Sequence, residues 1–263
     1  MTHKIAPDKY ALQKRLNRFF DGSISCRKDV TQFVHELTKD TDTGVFAFGG
    51  LVRDIGLFGV REFSSDVDLV FDGHKKELER ALGSLPHLQL EENKFGGFRI
   101  RLHSWDVDIW CAEDTWAIKR GLVDYKGITS LLDTTLLSWD SALFDVKKHK
   151  LICKKAYMDN LSQGKLDVVL KESPNELGSM VRITRAVYSK GAYTLGKNAI
   201  ELMDAYFSTY STKEIVQYEK NSYHKNYLSL ANLENLKSLI KQNISSSEVK
   251  LSSQEQLTLK FFD

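Results

Sequence analysis

Phe46-Ala47-Phe48-Gly49-Gly50-Leu51-Val52-Arg53-Asp54, followed after a short loop by Asp66-Val67-Asp68-Leu69-Val70-Phe71, decides how the rest of the chain is read. An apolar run entering paired glycines and then a helical pattern is how a strand-to-helix turn offers bare backbone N–H groups to a phosphate. The second stretch alternates. With a side-chain period of two, Asp66 and Asp68 project from one face of a strand while Val67 and Leu69 face a core. Two carboxylates on a strand face beside such a turn are the parts of a site for Mg²⁺ and a nucleoside triphosphate.

Outward from this stretch, Gly96 to Leu102 and Val107 to Trp110 flank His103-Ser104-Trp105-Asp106, which predicts a hairpin of two alternating strands. Asp106 and Asp108 share one face of its second strand. Upstream, residues 8–20 and 28–39 carry helical apolar spacing; 75–82 reads as a charged surface helix, 197–206 as another helix, and Leu230, Leu233, Leu236 and Ile240 stand at helical spacing further on. No internal repeat or low-complexity segment interrupts the chain.

The run Gly49-Gly50-Leu51-Val52-Arg53-Asp54 with Asp66-x-Asp68 resembles the head domain of tRNA CCA-adding enzymes and bacterial poly(A) polymerases, members of the polymerase β-like nucleotidyltransferase superfamily. The resemblance implies an α+β fold: a small mixed antiparallel nucleotidyltransferase sheet with flanking helices, followed by a helical neck region. The expected organisation is N-terminal helices over 1–43, the head over 44–150, and the neck and C-terminal region over 151–263. It also implies a third carboxylate on a strand next to the Asp-x-Asp strand. Asp108 is the choice there, with Asp106 in reserve.

Further along, the likeness thins. Around Asp133 to Asp145 the family's Arg-Arg-Asp-x-x-x-Asn element is eroded, with Leu136 in the Asp position and Asp140 in the Asn position. Lys119 and Arg120 are the basic residues upstream that could supply the missing charge. Asn175 to Val187 resembles the neck helix, where Arg182 and Arg185, three apart, share a face. Such a pair suits a triphosphate, because arginine binds phosphate oxygens in bidentate fashion. The base-reading Glu-Asp-x-x-Arg element is not evident.

Composition bounds the partners. The 263 residues are 42% hydrophobic and 27% charged with a formal net charge of +2, ordinary for a globular protein and without a global basic footprint. RNA contact would therefore need a local basic face. Cys26, Cys111 and Cys153 have no metal-ligand spacing and read as reduced thiols of a cytoplasmic protein. No run is long enough to cross a bilayer.

The expected chemistry is nucleotidyl transfer from an NTP to an acceptor hydroxyl, with Mg²⁺ or Mn²⁺ held by Asp66, Asp68 and Asp108. Gly49 and Gly50 would let the backbone approach the phosphates. Arg53 would neutralise the triphosphate or pair with a site carboxylate, with Asp54 in a structural contact and Arg182 and Arg185 on the nucleotide. By resemblance the favoured acceptor is RNA, a tRNA 3′ end first. A protein or small-molecule acceptor, or a catalytically silent nucleotide- or RNA-binding module, are the alternatives.

Overall fold

The computed structural model describes residues 5–21, 28–39, 42–85, 89–103 and 105–251. The helices α1 (Lys9–Phe20) and α2 (Lys28–Thr38) lead into β1 (Val45–Phe48), α3 (Gly50–Phe58) and β2 (Val67–Phe71). Next come α4 (Lys75–Gly83), β3 (Gln89–Glu92), β4 (Phe98–Arg101), β5 (Asp106–Cys111) and the short α5 (Trp116–Lys119). Then follow β6 (Ala142–Asp145), β7 (Lys150–Cys153), α6 (Tyr157–Ser162), β8 (Lys165–Leu166) and α7 (Glu176–Lys190). The described chain closes with β9 (Thr194–Gly196), α8 (Lys197–Thr209), α9 (Thr212–Ser222), α10 (Leu230–Gln242) and β10 (Glu248–Lys250).

Two compact units divide the chain: residues 1–135 with 140–158, and residues 136–139 with 159–263. The first is built on a seven-stranded sheet in the order β3-β4-β5-β2-β1-β6-β7, antiparallel throughout except for the parallel pair β2 and β5. One face carries Val67, Leu69 and Phe71 from β2 with Val107, Ile109 and Cys111 from β5, all buried. It lies under helices, with α3 against β1, β2 and β6, α4 against β5 and α1 against β7. Phe20 of α1 stacks on Phe144 of β6, ring centres 5.8 Å apart.

The opposite face is apolar at one end and acidic at the other. Phe46, Phe48, Val70 and Leu143 pack with Ala112, Leu131 and Leu132, so the chain after β5 covers that end. Asp68 lies on the same face as Val70, two residues nearer the start of β2, where the cover has ended. The alternation that predicts the Asp-x-Asp strand therefore separates a core side from a site side.

The second unit pairs α7, α8, α9 and α10 with a three-stranded sheet, order β10-β9-β8. Leu137 forms an isolated bridge with Val168, and the Trp139 indole donates to the Lys165 carbonyl at 2.6 Å. The helices α8 and α10 match their apolar periodicity. This sheet and the pair β6–β7 depart from the sequence reading, which places no strand after Trp110. All four residues of β6 are buried, so it shows no alternation, and β8 is two residues long. Such segments give periodicity nothing to detect.

Candidate active site

The turn from β1 into α3 is held by backbone. The Gly49 N–H donates to the Ala142 carbonyl at 3.2 Å, and the Gly49 carbonyl accepts from the Arg53 N–H at 3.1 Å. Gly49 adopts φ 60°, ψ −116°, a combination open to glycine and strained for any residue with a Cβ. Space is not the constraint there, since an added Cβ would meet nothing nearer than the Asp140 carbonyl at 3.9 Å. At Gly50 an added Cβ would make an ordinary contact, 3.4 Å from the Arg53 guanidinium. The first-turn N–H groups of α3 have no acceptor inside the helix, as at any helix start.

Arg53 turns back beneath this bend. Its Nε donates to Asp54 Oδ1 at 2.7 Å and Nη2 to Asp54 Oδ2 at 3.0 Å, while Nη1 donates to Asp140 Oδ1. Burial opposes the guanidinium's charge, but Asp140 and Asp54 outweigh it and hold it protonated well above the usual arginine range. Tyr157, also buried, has its hydroxyl pushed up by burial and by Asp140, with Arg53 offsetting part of the effect.

Asp68 and Asp108 are paired in register across the parallel strands β2 and β5, and Arg99 faces Asp108 across β4. Arg99 Nε donates to Asp108 Oδ1 at 2.8 Å and Nη2 to Asp108 Oδ2 at 2.6 Å. The same Nη2 reaches Asp66 Oδ2 at 3.0 Å. One guanidinium thus bridges two of the three predicted carboxylates. The Asp108 hydrogen bond, helped by the charges of Asp108, Asp66 and Asp106, raises the Arg99 pKa against partial burial. Asp66 is raised by burial and by Asp108 and Asp106, against the pull of Arg99.

Asp68 differs from both. It accepts no hydrogen bond among the described residues, and its carboxyl is pushed up to about 7. Burial is the largest cause; repulsion from Asp108, Asp66 and Asp140 adds to it, and Arg53 only partly compensates. A half-buried acid surrounded by three others and lacking a hydrogen-bonded partner is a site short of positive charge.

No family model matches the sequence, and no curated protein matches it. Among solved structures the chain is similar to "Thermotoga maritima CCA-adding enzyme complexed with tRNA_CCA", at 17% identity and TM-score 0.60, covering 94% of this chain and 58% of that one. It is similar to a CCA-adding enzyme with CTP at 16% identity and TM-score 0.56, covering 89% and 61%. A tRNA nucleotidyltransferase complexed with a primer tRNA and an incoming ATP analog matches at 16% identity and TM-score 0.56, covering 84% and 64%. The fold is that of the matching part of these proteins. The chain spans less than two thirds of the length of these proteins, and at such identity the likeness is one of fold.

Within that fold, Gly49, Gly50, Arg53, Asp66, Asp68 and Asp108 all lie in the first unit, on β1, α3, β2 and β5 and the segments adjoining them. Asp106 shares the face of Asp108. Among the described residues no three carboxylate, histidine or cysteine side chains converge into a chelating group. Mg²⁺ does not require one, since it takes one or two carboxylates and completes its shell with water and phosphate oxygens. Asp68, unpartnered, and Asp66, half exposed, fit that demand. Both oxygens of Asp108 are committed to Arg99.

Two residues of this site escape the sequence reading. Arg99 acts through strand register, and the predicted hairpin would have placed it opposite Asp108. Asp140 marks the eroded motif, but its partnership with Arg53 spans 87 positions and leaves no local trace. Lys119 does not supply the missing charge there: its Nζ pairs with Asp114 at 2.9 Å, and Arg120 is exposed beside it.

Arg182 and Arg185 lie on α7 in the second unit. Arg182 is exposed, with no hydrogen bond or ion pair among the described residues. Arg185 is enclosed: Nη1 donates to Glu219 Oε1 and, at 2.7 Å, to the Lys225 carbonyl, and its guanidinium sits 4.0 Å from the Tyr223 ring centre and 4.9 Å from that of Tyr227. Glu219, fully buried, also accepts from the N–H groups of Tyr227 and Leu228. These contacts give Arg185 a structural role in holding the turn after α9.

Proposed function

We propose that the chain is a metal-dependent nucleotidyltransferase that moves a nucleoside monophosphate from an NTP to an acceptor hydroxyl, with an RNA 3′ end, tRNA first, as the favoured acceptor. One observation carries the reading: the unpartnered, charge-repelled Asp68 sits on the site face of β2, on the strand next to the one that enters the Gly49 turn. In this reading Asp66 and Asp68 hold Mg²⁺ or Mn²⁺, and Asp108 stands beside the attacking hydroxyl. A cation bound there lowers the pKa of that hydroxyl and screens the triphosphate.

The chain's own groups do the rest. The α3 N-terminal N–H groups cradle phosphate oxygens, favoured by the helix dipole. Arg53, fixed by Asp54 and Asp140, holds positive charge under the turn and opposes the build-up of negative charge around Asp68. The solved structures whose titles name CTP, an ATP analog and tRNA support NTP and RNA as partners. The free Cys111 and Cys153 agree with a reducing compartment, and no helix among the described residues is long and apolar enough to cross a membrane.

A silent binding module is the second reading, favoured by Arg99's hold on Asp66 and Asp108. Incubation with each α-labelled NTP, Mg²⁺ or Mn²⁺, and either tRNA, an RNA oligonucleotide or cell protein separates the two. Label is expected on RNA. Because metal-based charge stabilisation amounts to several kcal/mol, Asp68→Ala should cut transfer by about a thousandfold or more. No label on any acceptor, while nucleotide still binds, would favour the silent module; label on protein would change the acceptor.

A further inference from the structure

At the other end of β5 from Asp108, the turn between β3 and β4 and the segment 114–120 enclose an open groove of about 510 Å³, lined by residues 92–96, Asp114, Trp116, Lys119 and Arg120. Its chemistry is unlike that of the carboxylate site. Lys94 and Arg120 are exposed and form no ion pair among the described residues, while Lys119 Nζ and Lys75 Nζ come within 3.6 and 3.7 Å of where a Cβ on Gly96 would lie. Lys119 is balanced by Asp114 and Lys75 by Glu92, which leaves Lys94 and Arg120 as the uncompensated charges. Phe95 is 44% exposed, an unusual state for a phenylalanine, with Lys94 Nζ 5.0 Å from its ring centre, and the half-buried Trp116 lines the same groove.

We infer that this groove holds the single-stranded end of an RNA acceptor, its phosphates on Lys94 and Arg120 and a base stacked on Phe95. Cationic side chains interleaved with accessible aromatic faces form the arrangement that binds single strands without reading sequence. The chain is near neutral overall, so RNA contact calls for a local basic site such as this groove.

The inference rests on the transferase reading, and the test separates them. Binding of a 5′-fluorescein single-stranded RNA oligonucleotide is followed by anisotropy against salt, for the full chain and for Phe95→Ala and the double variant Lys94→Glu, Arg120→Glu. Loss of stacking at Phe95 should weaken binding about tenfold. The double variant should weaken it further and flatten the slope of log K against log salt by about 1.4, two phosphates at ~0.7 each. In the transfer assay both variants should raise KM for RNA and leave KM for NTP in place.

Unchanged RNA affinity and salt slope in variants with a wild-type melting temperature would overturn the groove assignment, and so would equal affinity for duplex and single strand. Absence of transfer by a wild-type protein whose RNA binding responds as stated would leave the groove standing and remove the transferase reading.

Discussion

Two clusters of buried charge, one in each unit, show opposite logic. In the second unit Glu219 is matched by the Arg185 guanidinium and two backbone N–H groups, with Tyr223 and Tyr227 flanking the arginine. In the first, Asp68 faces Asp66, Asp108 and Asp140 with no hydrogen bond of its own. A network in which every group is satisfied fixes a conformation; one left short of a cation is poised to take one. The same residue types, aspartate or glutamate with arginine, thus mark structure in one place and a candidate site in the other.

The largest expected effect comes from breaking the satisfied side of this contrast or the buttress of the other. Arg53→Ala leaves Asp54 and Asp140 without their guanidinium in a largely buried setting, and removal of one partner of such a pair costs about 3–5 kcal/mol. Chemical denaturation should show it, and Arg53→Lys should recover only part, because an ammonium cannot match the fork on Asp54. Arg185→Ala, which uncovers the buried Glu219, should cost an amount of the same order, read as a drop in the unfolding midpoint.

A substitution at Asp68 should move stability the other way. Its folded pKa is about 7, above the usual aspartate value, so the folded protein binds the proton more tightly than the unfolded chain. Folding therefore gains nothing from the ionised form: stability is highest below the unfolded pKa, falls as pH rises towards about 7, and stays low beyond it. Asp68→Asn should match wild type near pH 4 and exceed it at pH 8 by roughly 2–4 kcal/mol in metal-free buffer. Equal stability at both pH values would erase the contrast with Glu219.

The sequence exposed the frame of the site and missed its internal ion pairs. Paired glycines between an apolar tetrad and a helical pattern were sufficient to place Gly49 and α3. Alternation sufficed for Asp68 and for the hairpin that carries Asp108, while Asp66 lies one residue before β2. What it could not display was contact across long separations: Arg53 with Asp140, or Arg185 with Glu219 and the tyrosines after it. A helix-face argument sees Arg182 and Arg185 as equals, whereas the second unit encloses one and leaves the other in solvent. The all-buried β6 and the two-residue β8 escaped because periodicity needs exposed positions and length.

A smaller effect sharpens the contrast from the ligand side. Arg99 holds Asp108 with two hydrogen bonds and Asp66 with a third, so it competes with any cation for the same oxygens. Arg99→Gln should tighten Mn²⁺ binding several-fold and lower metal-free stability, both measurable by calorimetry. Weaker binding in that variant would make Arg99 a support for the cation site and not a competitor.

A cation at Asp68 is what the transferase reading requires. Isothermal titration of Mn²⁺ into the full chain at pH 8, beside Asp68→Asn, tests this directly. A single carboxylate-dependent binding event in wild type, lost in a variant that remains folded, is the expected result. Mn²⁺ binding that persists unchanged in Asp68→Asn, or no binding to wild type with or without an NTP, would contradict it.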